Sequence, residues 1–161
     1  MYFSKLATTY KRLEKKIKDR SFIIDFYEFN LKHDKIITSI QDCEAIIVVF
    51  DLNNRNSFEG LTEYWLEFIR NDCCYNKKIY ILGNNFDKES PPLTSFEEIT
   101  EMIKFTGDNV SYIEIGNKPR SEINLLLDEL VHMTYIDDLK NSKSGGDCKA
   151  HSLKMEKCIV Y

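Results

Sequence analysis

The stretch Ala45-Ile-Ile-Val-Val-Phe-Asp51 decides the fold. It is apolar without alternation and rich in β-branched residues, the pattern of a strand covered on both faces. The residues that follow agree with that reading. Asp51-Leu-Asn-Asn-Arg-Asn56 is a polar loop, and Ser57 is predicted to open a helix. Phe58, Leu61, Trp65, Phe68 and Ile69 then share one helical stripe, which Asn71-Asp72 ends. A stripe of this kind is core, not a cofactor box.

Working downstream, Lys78-Ile-Tyr-Ile-Leu82 is a second buried strand, stopped by Gly83-Asn84-Asn85. Pro91-Pro92 keeps the next loop extended. Ser95 with Glu98 three residues later forms a capping box, opening a helix through Ile99, Met102 and Ile103 to near Gly107. Val110 to Ile115 is a third strand. Ser121 is predicted to cap a last helix, with Ile123, Leu126, Leu127, Leu130 and Val131 on one face. Upstream, Phe22-Ile23-Ile24 is a short strand, and residues 7–20 suit either an edge strand or a basic helix, with the strand preferred. Strands alternating with helices predict an α/β fold: three layers, a mostly parallel sheet with right-handed crossovers, and helices on both faces. The predicted domain spans residues 1–139. From Lys140 the chain is polar, with Ser144-Gly145-Gly146, so 140–161 is expected to be a flexible tail.

Composition narrows the functional classes. The 161 residues are 43% hydrophobic and 30% charged, an ordinary globular balance that excludes wholesale disorder. No apolar run approaches the ~18 residues of a membrane span. The net charge of −4 is unevenly spread. Residues 1–20 hold seven Lys or Arg against two Asp or Glu, and 141–161 hold four against two; the body between is strongly acidic. Such a body is a poor nucleic-acid binder. The basic ends are solvated charge or contacts for an anionic surface such as a membrane. Five Cys, an odd number without zinc spacing, imply free thiols in a reducing, intracellular compartment, with Cys43 in or near the core. His33, His132 and His151 have no partner at ligand or triad spacing.

Parallel sheets bind ligands at the carboxyl ends of their strands, which here are Gly83-Asn84-Asn85-Phe86-Asp87 and Gly116-Asn117-Lys118. By residue type alone these are turn residues. In order and near-spacing, however, the chain resembles the Ras-like small GTPases, the Rab branch most. "AIIVVFDLNNRNSFEGLTEYWLEFI" resembles that family's strand, Asp turn, Ser-Phe and Trp-centred helix. "IYILGNNFDKES" resembles its Gly-Asn-Lys-x-Asp guanine motif, with Asn85 in place of Lys. "SYIEIGNKPRSEINLLLDEL" resembles its Glu-Thr-Ser-Ala-Lys segment, with Gly116-Asn117-Lys118 for Ser-Ala-Lys. Three motifs in register over roughly residues 20–140 outweigh any one of them.

The resemblance implies nucleotide-binding positions at Asn84, Asn85, Asp87, Asn117 and Lys118. A carboxylate at Asp87 can accept from both the ring N1–H and the exocyclic amine of guanine, a donor pair adenine lacks. Asn84 would bond the other edge of the base, and Lys118 would pack on its face. It also implies GTP or GDP as ligand. The phosphate loop GxxxxGK[ST] occurs nowhere in the sequence, so the expected domain is a P-loop small-GTPase-like fold lacking first strand, phosphate loop and first helix. The family's Asp-x-x-Gly-Gln reads Asp25-Phe-Tyr-Glu28-Phe29, which puts an acid where the terminal phosphate is met and removes the water-positioning Gln. Asp25 is either a remnant nucleotide ligand or a charge closing a strand. Mg²⁺ binding is in doubt, no catalytic residue is assigned, and GTP hydrolysis is not expected, since catalysis in this family is positioning and electrostatics around phosphates and metal.

Lys157-Cys158-Ile-Val-Tyr161 has the Cys-aliphatic-aliphatic-X form of a prenylation signal, making Cys158 a lipidation candidate. The implied setting is cytoplasmic, anchored on the cytosolic face of a membrane, with effectors or regulators of vesicle traffic as partners and no nucleic acid. Two alternatives stand beside this Rab-like reading: a nucleotide-independent pseudo-GTPase interaction module, and an incomplete gene model of an active small GTPase.

Overall fold

In the computed structural model the described residues are 9–17, 20–28, 43–73, 77–85, 90–116, 118–141 and 155–157. Two strands open the chain. β1 (Thr9–Ile17) and β2 (Arg20–Glu28) pair antiparallel, from Thr9↔Glu28 to Ile17↔Arg20. β1 is therefore a strand, as the sequence suggests, and β2 is much longer than the predicted Phe22–Ile24. Lys11, Arg12 and Lys16 are exposed on β1. A charged strand of this kind resists pairing with another chain.

The parallel sheet is built on β3 (Ala45–Asp51), flanked by β4 (Lys78–Asn84), with β5 (Val110–Glu114) beyond it. The β3–β4 register runs from Ala45↔Lys78 to Asp51↔Asn84, and the β4–β5 register from Ile79↔Val110 to Gly83↔Glu114. On its other edge β3 pairs, also parallel, with β6 (Met155–Lys157), within the stretch read as a flexible tail. β4 runs through Gly83 and Asn84 instead of stopping before them.

One face of the sheet is covered by α1, a continuous helical run composed of Arg55–Gly60, a π-helical turn Leu61–Trp65, Leu66–Phe68 and a second π-helical turn Ile69–Cys73. α2 (Phe96–Thr106) lies on the same side. Phe58, Leu61, Trp65 and Ile69, the predicted stripe, bury with Ile46, Val48, Phe50, Ile79 and Ile81. The widened turns also bring Leu66 inward, off that stripe. α1 begins at Arg55, not Ser57: Asn54 is the N-cap and accepts from the Asn56 N–H at 3.1 Å, while Ser57 Oγ accepts from the Asp51 N–H. The capping box of α2 forms as read, with Ser95 Oγ and Glu98 exchanging bonds at 3.2 and 2.9 Å.

The opposite face packs against α3 (Arg120–Asn141). Ser121 lies in its first turn and does not cap it; the Glu122 and Ile123 N–H groups bond the Pro119 carbonyl. Leu130 and Val131 bury against Ala45, Ile47, Tyr80 and Leu82. The buried Tyr80 phenol is satisfied by Thr134 Oγ1 at 3.1 Å and the Leu130 carbonyl at 3.3 Å. Phe22 meets the Tyr135 ring edge-on at 5.5 Å, the Arg20 guanidinium bonds the Tyr135 hydroxyl, and Lys15 pairs with Asp128. These contacts fix the β1–β2 hairpin to α3. The three-layer α/β reading therefore holds. Cys43 is buried in the core, where the sequence reading placed it. No helix among the described residues is long and apolar enough to cross a membrane.

Asp25 is 2% exposed, in the middle of β2. Arg12 faces it in register and holds both carboxylate oxygens, at 2.6 and 2.7 Å. The bidentate fork is the strong form of this pair, and removing one partner strands a buried charge. Because Arg12 is half exposed, Arg12→Ala should cost about 2–3 kcal/mol. Replacing both groups, Arg12→Met with Asp25→Val, should recover most of that loss. Urea denaturation of the three chains measures both.

Candidate functional site

The site candidates gather where the parallel strands end. Asn84 closes β4, and its carbonyl accepts the Leu52 N–H at 2.8 Å, joining the exits of β3 and β4. The Ile115 N–H donates to the Gly83 carbonyl at 2.8 Å, joining the exits of β4 and β5. Hence the segments starting at Asn84 and at Gly116 leave the sheet side by side. Gly116 has φ +29°, in the left-handed region where a side chain is strained. The Lys118 N–H bonds the Gly116 carbonyl at 2.7 Å, and the Lys118 side chain is exposed.

Asn85 carries the sharpest signal. Its Oδ1 is buried and has no hydrogen-bond partner among the described residues. A buried amide oxygen without a donor costs free energy, so it marks a place where a donor is wanted. An N–H-rich planar ligand would supply one. Asp87, Asn117, Cys158 and Phe29 lie outside the described residues, so of the five positions that the sequence resemblance marks for the base only Asn84, Asn85 and Lys118 are placed. Asp25 is on β2, committed to Arg12. Glu28 ends β2 on the rim of a cavity of about 600 Å³ between the hairpin and α3, floored by Ile47 and Leu82. Among the described residues no three His, Cys, Asp or Glu gather closely enough to hold a metal ion, and no metal role is assigned to any of them.

The β3 exit is held by its own polar residues. Asp51 Oδ1 accepts the Asn53 N–H at 2.9 Å, and the Leu93 N–H bonds the Leu52 carbonyl at 2.8 Å. Arg55 links this loop to α2 through Glu98 at 2.6 Å and to Glu59 at 3.2 Å. The Ser95 backbone N–H, then Arg55, hold the Glu98 carboxyl below its ordinary pKa, and Glu98 in turn raises that of Arg55.

Sequence reasoning missed a pairing next to Asn84. A Cβ on Gly83 would come within 2.9 Å of Tyr112 Cε2 and Cζ, and closer still to the phenol oxygen. A glycine inside a strand signals such an approach, and that signal was present at Gly83. The Tyr112 hydroxyl is itself buried without a partner among the described residues, and its ring lies 6.3 Å from that of Phe50. Burial, then the charge of Glu114, push its pKa up to about 12.

Comparison with known proteins places these features in a lineage. The model of the Ras family matches residues 32–135. The chain is 24% identical to the Ras-like protein rasW of Dictyostelium discoideum over 94 residues, 58% of this chain and 43% of that protein. It is 26% identical to the Ras-related protein Rab-1 of Theileria parva over 125 residues, 76% of this chain and 56% of that protein. The chain thus spans about half the length of the curated relatives it matches.

Two outcomes test the β4–β5 wall of the site. Gly83→Ala should destabilise the chain by about 1–3 kcal/mol through overpacking, and by less in a Tyr112→Phe background, since the nearest clashing atom is then gone. Tyr112 holds its proton more tightly in the folded chain than in the unfolded one, where a tyrosine titrates near its ordinary value of about 10. Its contribution to stability is therefore fully present below that value and is lost as pH rises toward about 12. Ultraviolet phenolate titration of the native chain against Tyr112→Phe should show one late-titrating group missing from the variant.

Proposed function

The chain belongs to the Ras family, and from that premise we propose a Rab-like guanine-nucleotide-binding protein of membrane traffic that grips the base and leaves GTP unhydrolysed. The observation that carries the reading is the adjacency of the β4 and β5 exits, held by the Ile115–Gly83 bond, with the buried Asn85 Oδ1, which has no partner among the described residues, at one of them. In this reading Asp87 accepts from the guanine N1–H and amine, Asn84 and Asn117 line the base, and Lys118 covers its face. Asn85 is shorter and neutral where the family has Lys, so the base is held with less packing.

The phosphate end has no comparable support. The 161 residues contain no GxxxxGK[ST], and both Asp25 oxygens are occupied by Arg12. Without a phosphate cradle, most charge-assisted bonds to a nucleotide are missing. GTP or GDP binding by these 161 residues is therefore weak and base-directed, with Mg²⁺ playing little part in it. The same facts favour a second reading, a nucleotide-independent module that works through its protein surfaces. In both readings the partners are effectors or regulators of membrane traffic, and a prenyl group on Cys158 provides attachment to the cytosolic face of a membrane. One lipid holds only marginally, so Lys143, Lys149, Lys154 and Lys157 would assist.

Calorimetry with GDP should give weak binding that prefers guanine to adenine, and Asp87→Ala should abolish the preference. No binding at all selects the nucleotide-independent module, and tight binding indifferent to Asp87 overturns the base-directed reading. Incubation with GTP and Mg²⁺ should yield no phosphate above background; turnover surviving repurification contradicts it. For the lipid, Cys158→Ser should move a tagged protein from membrane to cytosol in eukaryotic cells. An intact mass lacking a prenyl adduct refutes that part.

A further inference from the structure

The helix α3 seals against the sheet at its middle and leaves a gap near its start. Leu130, Val131 and Tyr135 are 5% exposed or less, closed on the sheet and on the hairpin. One to two turns earlier, Leu126 and Leu127 are only half-buried, and Ile123 is 38% exposed. All three line the cavity of about 600 Å³ whose floor is Ile47 and Leu82. Leu13 of β1 and Phe26 of β2, also half-buried, form its far wall. Large apolar side chains that keep part of their surface uncovered hold free energy that burial would release, in proportion to area.

The charges are not spread evenly around this apolar space. Its polar lining consists of Lys11, Glu28, Arg120 and Asn124. Lys15 pairs with Asp128 and bonds the Asn124 carbonyl, while Arg20 bonds the Tyr135 hydroxyl, so the hairpin and α3 advance in step. Lys11, four residues before Lys15, therefore meets the first turn of α3, which Arg120 opens. Two cations thus stand at one end, and the helical wall runs ~15 Å from Arg120 to Leu130. Both cations are exposed, and neither side chain has an ion-pair partner among the described residues. Glu28, the one acid in the lining, is engaged in an interaction of its own.

A slot with an apolar body and cations at its mouth is complementary to a ligand with one apolar chain and one anionic end. A wholly apolar ligand would leave the cations unused. A nucleotide base would set its polar edges against leucine and phenylalanine. The volume falls within the range of about 300–1,000 Å³ in which small-molecule sites lie. We propose that the cavity between the hairpin and α3 binds a single-chain fatty carboxylate, with the chain over Ile47 and Leu82 and the carboxylate between Lys11 and Arg120. The site does not rest on the nucleotide reading, since Asn84, Asn85 and Lys118 do not line it.

The test is calorimetry on the full chain with dodecanoate, kept below the concentration at which it forms micelles, and with the uncharged dodecanol. The native chain should bind one dodecanoate saturably and dodecanol about tenfold more weakly, the loss of a contact between charged groups. Lys11→Gln with Arg120→Gln should weaken dodecanoate by about the same factor and leave dodecanol unchanged. Leu127→Trp places a ring in the slot and should abolish both. GDP, titrated into the same chain, should displace neither. The proposal is overturned by no saturable binding, by dodecanol binding as tightly as dodecanoate, by binding that survives Leu127→Trp, or by displacement with GDP. If Leu127→Trp fails to fold, the two exposed Gln substitutions decide, and dodecanoate affinity unchanged by them overturns it.

Discussion

Everything in this molecule is arranged around β3, a strand that cannot tolerate water on either face. Ala45, Ile46 and Val48 are fully buried, and Ile47 and Phe50 nearly so. A strand with that composition requires a layer above and a layer below. α1 and α2 form one layer and α3 the other. Both edges must be paired as well, by β4 on one side and β6 on the other. Once β3 is covered on both faces, its carboxyl end and those of β4 and β5 are where loops emerge together. The site's position is thus a consequence of burial, settled before any binding residue is considered.

Features carried by short, local patterns were legible in the sequence. The apolar runs at 45–50 and 78–82 and the Ser95–Glu98 box need only near neighbours to form. Features that need a distant partner were not. Ser57 and Asn54 can both cap a helix, and the choice turned on the Asp51 N–H, which takes the Ser57 hydroxyl and leaves Asn54 to cap. Gly83 looks like a strand stop until Tyr112 from the next strand occupies the space of its missing side chain. Met155-Glu-Lys157 has no strand signature of its own. It is a strand because β3 has an edge to fill.

The candidate site divides in the same way. That the exits of β4 and β5 lie side by side follows from strand order, which the alternating pattern predicts. The burial of the Asn85 oxygen depends on three-dimensional surroundings that no spacing rule describes. Asp25 is the opposite case. Its place in the sequence suggests a remnant of a nucleotide motif, yet the antiparallel register sets Arg12 directly across from it. A buried carboxylate must be paired to remain charged, and a partner on the adjacent strand supplies that more cheaply than a ligand that comes and goes.

This contrast between two polar groups bears on how the fold divides its work. Across the hairpin and α3, buried polar groups are closed on one another: Asp25 with Arg12, and Tyr80 with Thr134 and Leu130. At the β4 and β5 exits two oxygens, those of Asn85 and Tyr112, lie buried without a partner among the described residues. Closed networks rigidify; open ones store a free-energy cost that a suitable ligand can relieve. On the reading proposed for this chain, the first half of the sheet has become structural, tying a hairpin and a returning strand to the core. The second half keeps the open geometry of a recognition surface. The base-side residues then carry what binding remains, because they sit at strand exits where the fold has left hydrogen-bonding capacity unspent.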